Sequence, residues 1–268
     1  MLWNAKTKEV TLGGTKMSYA SFGHGEKAFV ILPGLSDGLA TVRGKALLLA
    51  APYRKFFDRY TVYMFSRKDK LPEGYSIRDM AEDQAEAQRR LGREKVSVMG
   101  VSQGGMIAQL LAAEHPELVE KLVLAVTAPQ VNERIRGCVS RWTGFAERGD
   151  HIKLMIDTAE ASYSEDRLKK YRKIYPLLGK IGRPENYDRF LVNARAILEF
   201  DAVPVLEKII CPTLIIGGAE DQIVGVEASY ELKDRIRNSE LYIYEGLGHA
   251  AYEEAKDFND RVLAFLEA

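Results

Sequence analysis

The chain has 268 residues, 46% of them hydrophobic, and its 38 lysines and arginines balance 38 aspartates and glutamates. A formal charge of zero supplies no overall field to draw in nucleic acid or an anionic membrane surface, so recognition must be local. Two cysteines, Cys138 and Cys211, without CxxC spacing exclude a disulfide framework and, beside only four histidines, argue against zinc; no metal or organic cofactor is expected.

At this length one large domain or two small ones can bury a core without such staples. The polar start MLWNAKTKEVTLGG has no apolar signal-peptide core, and the longest apolar stretches, such as ALLLAA at 46–51, fall well short of the roughly 18 residues of a membrane helix. A cytoplasmic chain, monomeric or homodimeric, is expected.

EVTLGG and KMSYASFG predict a hairpin turning at Gly13 and Gly14, and AFVILPG predicts a buried strand stopped by Pro33 and Gly34. A helical stretch over 44–57 precedes TVYMFS, a second buried strand over 61–66. SIRDMAEDQAEAQRRLG predicts a helix: Ser76 with Asp79 forms an N-terminal cap, Ile77, Met80, Ala81, Ala87 and Leu91 fall near helical spacing, and Gly92 ends it. KVSVMG (95–100) predicts a strand, QGGMIAQLLAAEHP a helix stopped by Pro116, and KLVLAV (121–126) the next strand. CPTLIIGG (211–218), a helix over 226–237, SELYIYEG (239–246) and a final helix ending at Phe265 complete the pattern. Strands alternating with helices, and apolar throughout, predict a parallel sheet covered on both faces. Over 129–204 the strand signal vanishes and charged and aromatic residues fall at helical spacing. The expected division is a core of 1–128 and 205–268, with 129–204 inserted as a helical cap after the sixth strand.

The segment VMGVSQGGMIAQ carries G-x-S-x-G as Gly100, Ser102 and Gly104. The bare pattern recurs by chance, but here it joins an apolar strand to a helix, the setting a nucleophile elbow requires. A serine hydroxyl needs a base to act as a nucleophile, and four histidines allow elimination. His24 falls at the opposite edge of the sheet, His115 lies a helix length away as a C-terminal cap, and His151 reaches a site only from the insertion. His249, in EGLGHAAYE, directly follows the last strand on the edge where Ser102 emerges. The carboxylate that orients such a base is Asp221 or the adjacent Glu220, both just past LIIGG on the same edge.

Taken together, GVSQGG, the G-x-x-D-x-x-V run from Gly218 to Val224 and the pair Gly248-His249 resemble the α/β-hydrolase fold superfamily, in particular its small esterase-like serine hydrolases with a helical cap. The resemblance spans nearly the whole chain. It implies an α/β fold with a mostly parallel eight-stranded sheet flanked by helices, and the chain order Ser102, Asp221, His249, which selects Asp221 over Glu220. It further implies an oxyanion hole from the amides of Leu35 and Gln103, and cleavage of a small ester or related acyl compound through an acyl-enzyme. The same fold and triad also support C–C bond hydrolysis, lyase chemistry, perhydrolysis or a non-catalytic small-molecule receptor.

Two departures from the family pattern stand out. Pro33-Gly34 replaces the usual His-Gly pair, and SRKDK follows TVYMF where D-x-R-G-x-G is common. Arg67, with Lys68 and Lys70, is therefore a candidate for holding an anionic substrate group, against the alternative of a solvated loop. Trp142 and Phe145 in the cap are candidates for lining the substrate pocket, against packing between cap helices. The basic run over 167–173 has acidic neighbours and reads as a solvated helix face.

Overall fold

The computed structural model describes residues 2–93, 95–175 and 182–268. Its eight strands are β1 (Lys6–Leu12), β2 (Thr15–Gly23), β3 (Lys27–Leu32), β4 (Tyr60–Lys68), β5 (Val96–Val101), β6 (Val119–Ala125), β7 (Thr213–Gly218) and β8 (Ser239–Tyr244). They form one sheet in the order β1-β2-β4-β3-β5-β6-β7-β8. The β1–β2 and β2–β4 pairs are antiparallel and the rest are parallel. The hairpin between β1 and β2 turns at Gly13 and Gly14, both at positive φ, as the sequence predicts.

Alternation along each strand divides the core between the two faces. Val30, Leu32, Val98, Leu122 and Leu124 pack on one face, and Phe29, Ile31, Met99, Val123 and Ala125 on the other. Each fully buried Val, Leu, Ile, Phe or Met side chain contributes about 1.5–3 kcal/mol relative to an exposed one. The sheet therefore needs helices on both sides. α2 (Ile77–Arg90) and α3 (Gln103–Glu114) cover the first face, α2 opening with a reciprocal capping box between Ser76 and Asp79. The stretch expected as one helix over 44–57 is α1 (Ala46–Ala50) followed by tighter 3-10 turns (Ala51–Phe56), because Pro52 supplies no amide to continue the α pattern.

Between β6 and β7 the chain forms α4 (Glu133–Glu147), α5 (His151–Ser162), α6 (Glu165–Tyr171) and α7 (Asp188–Leu198). Residues 176–181 of the expected 129–204 insertion lie outside the described residues. An isolated bridge between Gln130 and Asp201 joins the outgoing and returning chain. The remaining helices are α8 (Val226–Arg235), the short α9 (Ala251–Glu254) and α10 (Phe258–Glu267). Cys138 and Cys211 are buried free thiols. Among the described residues no helix is long and apolar enough to cross a membrane.

The strand order also dictates where a ligand can sit. The chain leaves β3 toward β4 on one side, while β5 lies on the other side of β3, so the C-terminal ends of β3 and β5 flank the point where the winding reverses. Open parallel sheets leave a crevice there.

Candidate active site

Ser102 stands between the end of β5 and the start of α3, at φ 52 and ψ −119. That lies outside the regions open to an L-residue and costs about 1–3 kcal/mol, so its surroundings must enforce it. Close packing does so. A Cβ on Gly100 would lie 2.3 Å from the Gly104 carbonyl oxygen, and one on Gly104 would lie 1.9 Å from that of Leu32. Thr127 Oγ1 donates to the Ser102 carbonyl at 2.8 Å, and the Ser102 amide donates to Ala125 at 2.9 Å.

His249 follows β8 and is 7% exposed. Its Nε2 lies 2.9 Å from Ser102 Oγ and its Nδ1 lies 2.8 Å from Asp221 Oδ2. With Nδ1–H donating to the carboxylate, Nε2 presents its lone pair to the serine hydroxyl. The other oxygen of Asp221 accepts the amides of Ile223 and Val224 at 2.8 and 2.9 Å. Burial by itself pushes the Asp221 carboxyl up, but the charge and hydrogen bond of His249 and these two amides outweigh it and hold the group below the usual carboxylate range. Glu220 is exposed, and it is Asp221 that meets the histidine.

Leu35 opens a 3-10 turn (Leu35–Gly38) straight after Gly34, where a Cβ would lie 3.4 Å from Ser102 Cβ. Gln103 is the first residue of α3. Amides at the first position of a helical turn have no acceptor within that turn, so neither the Leu35 nor the Gln103 amide is engaged by its own turn. The dipole of α3 adds positive potential at Gln103.

Arg67 departs from both sequence readings. It is neither in a solvated loop nor open to an anionic substrate group: β4 continues through Lys68, and Arg67 is 4% exposed. The reason is Asp37, whose Oδ2 accepts the Arg67 amide at 2.9 Å and lies 3.8 Å from its Nη1. Arg67 Nη2 donates to Gln103 Oε1 at 3.0 Å. Lys68 pairs with Asp83 at 2.8 Å and lies over the Tyr75 ring, which leaves it engaged as well. Trp142 is buried and donates Nε1 to Asp157 at 2.8 Å, while Phe145 carries Arg148 over its ring, so the polar and cation contacts of both stay within the helical segment. His24 lies beside Asp58 and His115 beside Glu82, each away from Ser102 as elimination requires.

The sequence reading missed Asp37, Arg189 and Asn193. Asp37 sits two positions beyond Leu35 and Arg189 lies on α7, with Arg189 Nη2 donating to Asp37 Oδ2 at 2.6 Å. No local pattern marks such a pair, since only the fold brings the two residues together.

The family model described as alpha/beta hydrolase fold matches residues 27–256, and the chain belongs to that family. It is a hydrolase of this fold. A relative from Serratia proteamaculans that carries the provisional name carbamate hydrolase RutD is 28% identical over 74% of this chain and 76% of its own. The 2-hydroxy-6-oxononadienedioate/2-hydroxy-6-oxononatrienedioate hydrolase 2 of Pseudomonas putida is 30% identical over 94% of this chain and 92% of its own. Among solved structures, the α/β hydrolase MGS-M2 from a Medee basin deep-sea metagenome library superposes with a TM-score of 0.83 at 21% identity, covering 97% of this chain and 98% of that one.

Proposed function

We propose that the protein is a serine hydrolase that cleaves a small ester or related acyl compound through an acyl-enzyme. The observation that carries the reading is the continuous hydrogen-bonded line from Ser102 Oγ through His249 to Asp221, at 2.9 and 2.8 Å. Ser102 Oγ attacks the substrate carbonyl as His249 Nε2 takes its proton. The carbonyl oxygen becomes an oxyanion held by the Leu35 and Gln103 amides, and Asp221 stabilises the imidazolium. Collapse breaks the acyl bond, and the leaving group departs with the proton from His249. Water, deprotonated by the same nitrogen, then attacks the acyl-serine and regenerates the hydroxyl.

A cavity of about 590 Å³, walled by apolar Ile31, Tyr53 and Met64 and by charged Arg167, Glu253 and Lys256, supports a substrate with both apolar and polar groups. It also reaches Pro33 and Gly34, next to Ser102. α4 to α7 act as the lid, and the chain works in the cytoplasm. A second reading, hydrolysis of a carbon–carbon bond beside a ketone by the same triad, follows from the relative named for a 2-hydroxy-6-oxononadienedioate substrate.

Turnover of p-nitrophenyl esters of graded acyl length, by wild type and Ser102→Ala, tests the first reading. A loss of about a thousandfold or more in kcat is expected in the variant. A variant turning over near the wild-type rate removes Ser102 from the mechanism. Wild type that leaves every ester intact but cleaves a 2-hydroxy-6-oxo dienedioate establishes the second reading.

A further inference from the structure

Behind the two oxyanion amides, side chains and backbone groups close into a buried ring that includes the helical segment. Asp37, two residues after Leu35, accepts Arg189 Nη2 at 2.6 Å on its carboxylate and Arg189 Nη1 on its carbonyl. Arg189 also donates from Nη2 to the Arg67 carbonyl at 3.0 Å and from Nε to the Lys68 carbonyl at 3.2 Å. Arg67 donates to Gln103 Oε1 at 3.0 Å, Gln103 Nε2 donates to the Asn193 carbonyl at 2.8 Å, and Asn193 Nδ2 donates to the Arg189 carbonyl at 2.7 Å. Arg67 returns the ring to Asp37 through its own amide at 2.9 Å.

Four members are almost fully enclosed: Asp37 is 3% exposed, Arg67 4%, Gln103 0% and Asn193 0%. Two guanidinium groups face one carboxylate, so the ring carries a surplus positive charge. Among the described residues Arg67 Nε and Nη1 have no hydrogen-bond partner, and Arg67 lines a void of about 10 Å³ with Asp83 and Gln84. Burial pushes the Arg67 guanidinium down to about 10, with Asp37 acting against the shift and Arg189 with it, so it is still charged at neutral pH.

We infer that Arg189 is a positioning residue for the oxyanion hole: from α7 its guanidinium fixes the Leu35 turn through Asp37 and the Gln103 turn through the Arg67 carbonyl, Arg67 in turn holding Gln103 Oε1, and it biases both toward a developing negative charge. The inference rests on the serine-hydrolase reading above. Hydrogen-bond donors aimed at an oxyanion do most when they are fixed beforehand in a dry, low-dielectric site, and a ring spanning both donor turns supplies that rigidity. It also assigns the helical segment a part in the chemical step, since Arg189 and Asn193 both lie on α7.

Arg189→Ala, Arg189→Gln and Arg189→Lys are assayed on a neutral p-nitrophenyl ester. Rates are counted per site labelled by a fluorophosphonate, alongside the affinity of a trifluoromethyl ketone whose serine adduct carries the oxyanion. For Arg189→Ala, kcat is expected to fall about tenfold to a hundredfold, short of the roughly hundredfold to thousandfold cost of deleting an oxyanion donor. KM should hardly move, ketone affinity should fall by the same factor as kcat, and Arg189→Lys should recover part of the loss. Folded variants with wild-type kcat per labelled site overturn the inference. So does a loss confined to KM for anionic esters, which makes Arg189 a substrate anchor. If Arg189→Ala fails to fold, Arg189→Lys and Arg189→Gln decide between these outcomes. Wild type that takes no label overturns the serine reading and this inference with it, whereas labelled wild type beside unaffected variants overturns the inference alone.

Discussion

Asp221 uses its two carboxylate oxygens differently: one receives His249, and the other is held by the Ile223 and Val224 amides at 2.8 and 2.9 Å. That division fixes the carboxylate so that the histidine must present Nε2 to Ser102. Asp221→Asn keeps the shape of the group but lets its amide nitrogen face Nδ1, which favours the wrong imidazole tautomer. The expected result is a fall in kcat of about four powers of ten with little change in melting temperature, read from ester turnover and thermal denaturation. Ser102 and His249 were legible in the sequence because a strand, a sharp turn and a helix leave few alternatives for the serine, and four histidines are few enough to eliminate. Arg67 was not. Its neighbours in SRKDK are nearly all charged and imply solvent, while the groups that bury it lie 30 and 122 residues away in the chain.

Among the elements, the β5–α3 turn is the most tightly determined. Gly104 lets the first turn of α3 rest on the end of β3, and a methyl group there meets backbone at 1.9 Å, which no side-chain rotation relieves. Gly104→Ala is expected to shift Ser102 off its strained conformation, with loss of ester turnover and a lowered melting temperature. An active variant of unchanged stability would show that the turn tolerates more than this packing allows. Helix α2 was legible from its capping box, since Ser76 and Asp79 satisfy each other's backbone as their spacing predicts. The break of α1 into 3-10 turns and the extension of β4 through Lys68 were not, because the first depends on Pro52 meeting a short helix and the second on pairing with β2. The helices of the insertion carry ordinary amphipathic spacing, which states that they are helices and not what they touch.

At the scale of the molecule, the last helix is clasped to the sheet far from the candidate site. Tyr60 Oη donates to Glu267 Oε1 at 2.6 Å, Lys27 Nζ reaches the same oxygen at 3.2 Å, and Arg59 pairs with the other. The Tyr60 hydrogen bond leads in lowering the Glu267 carboxyl to about 2, with Arg59 and Lys27 adding to it and partial burial opposing. A folded-state value below the ordinary 4.5 means that the unfolded chain takes up the proton first on acidification. The stabilisation is therefore complete above 4.5 and is lost as pH falls toward about 2. Glu267→Gln is expected to lower stability at neutral pH, with the gap from wild type closing across that window in urea titrations repeated at several pH values. A gap independent of pH contradicts the assignment. Around the candidate site several charged groups pair with one another, Arg67 and Arg189 with Asp37 and Lys68 with Asp83, in a chain whose 38 basic and 38 acidic residues balance overall.

The central claim is that Ser102 is an activated nucleophile, and intact-mass spectrometry after brief exposure to a fluorophosphonate tests it most directly. Wild type is expected to gain the mass of one phosphonyl group, mapped to Ser102 by peptide sequencing, while Ser102→Ala gains none. Wild type that keeps its mass, or equal labelling of the two proteins, contradicts the account.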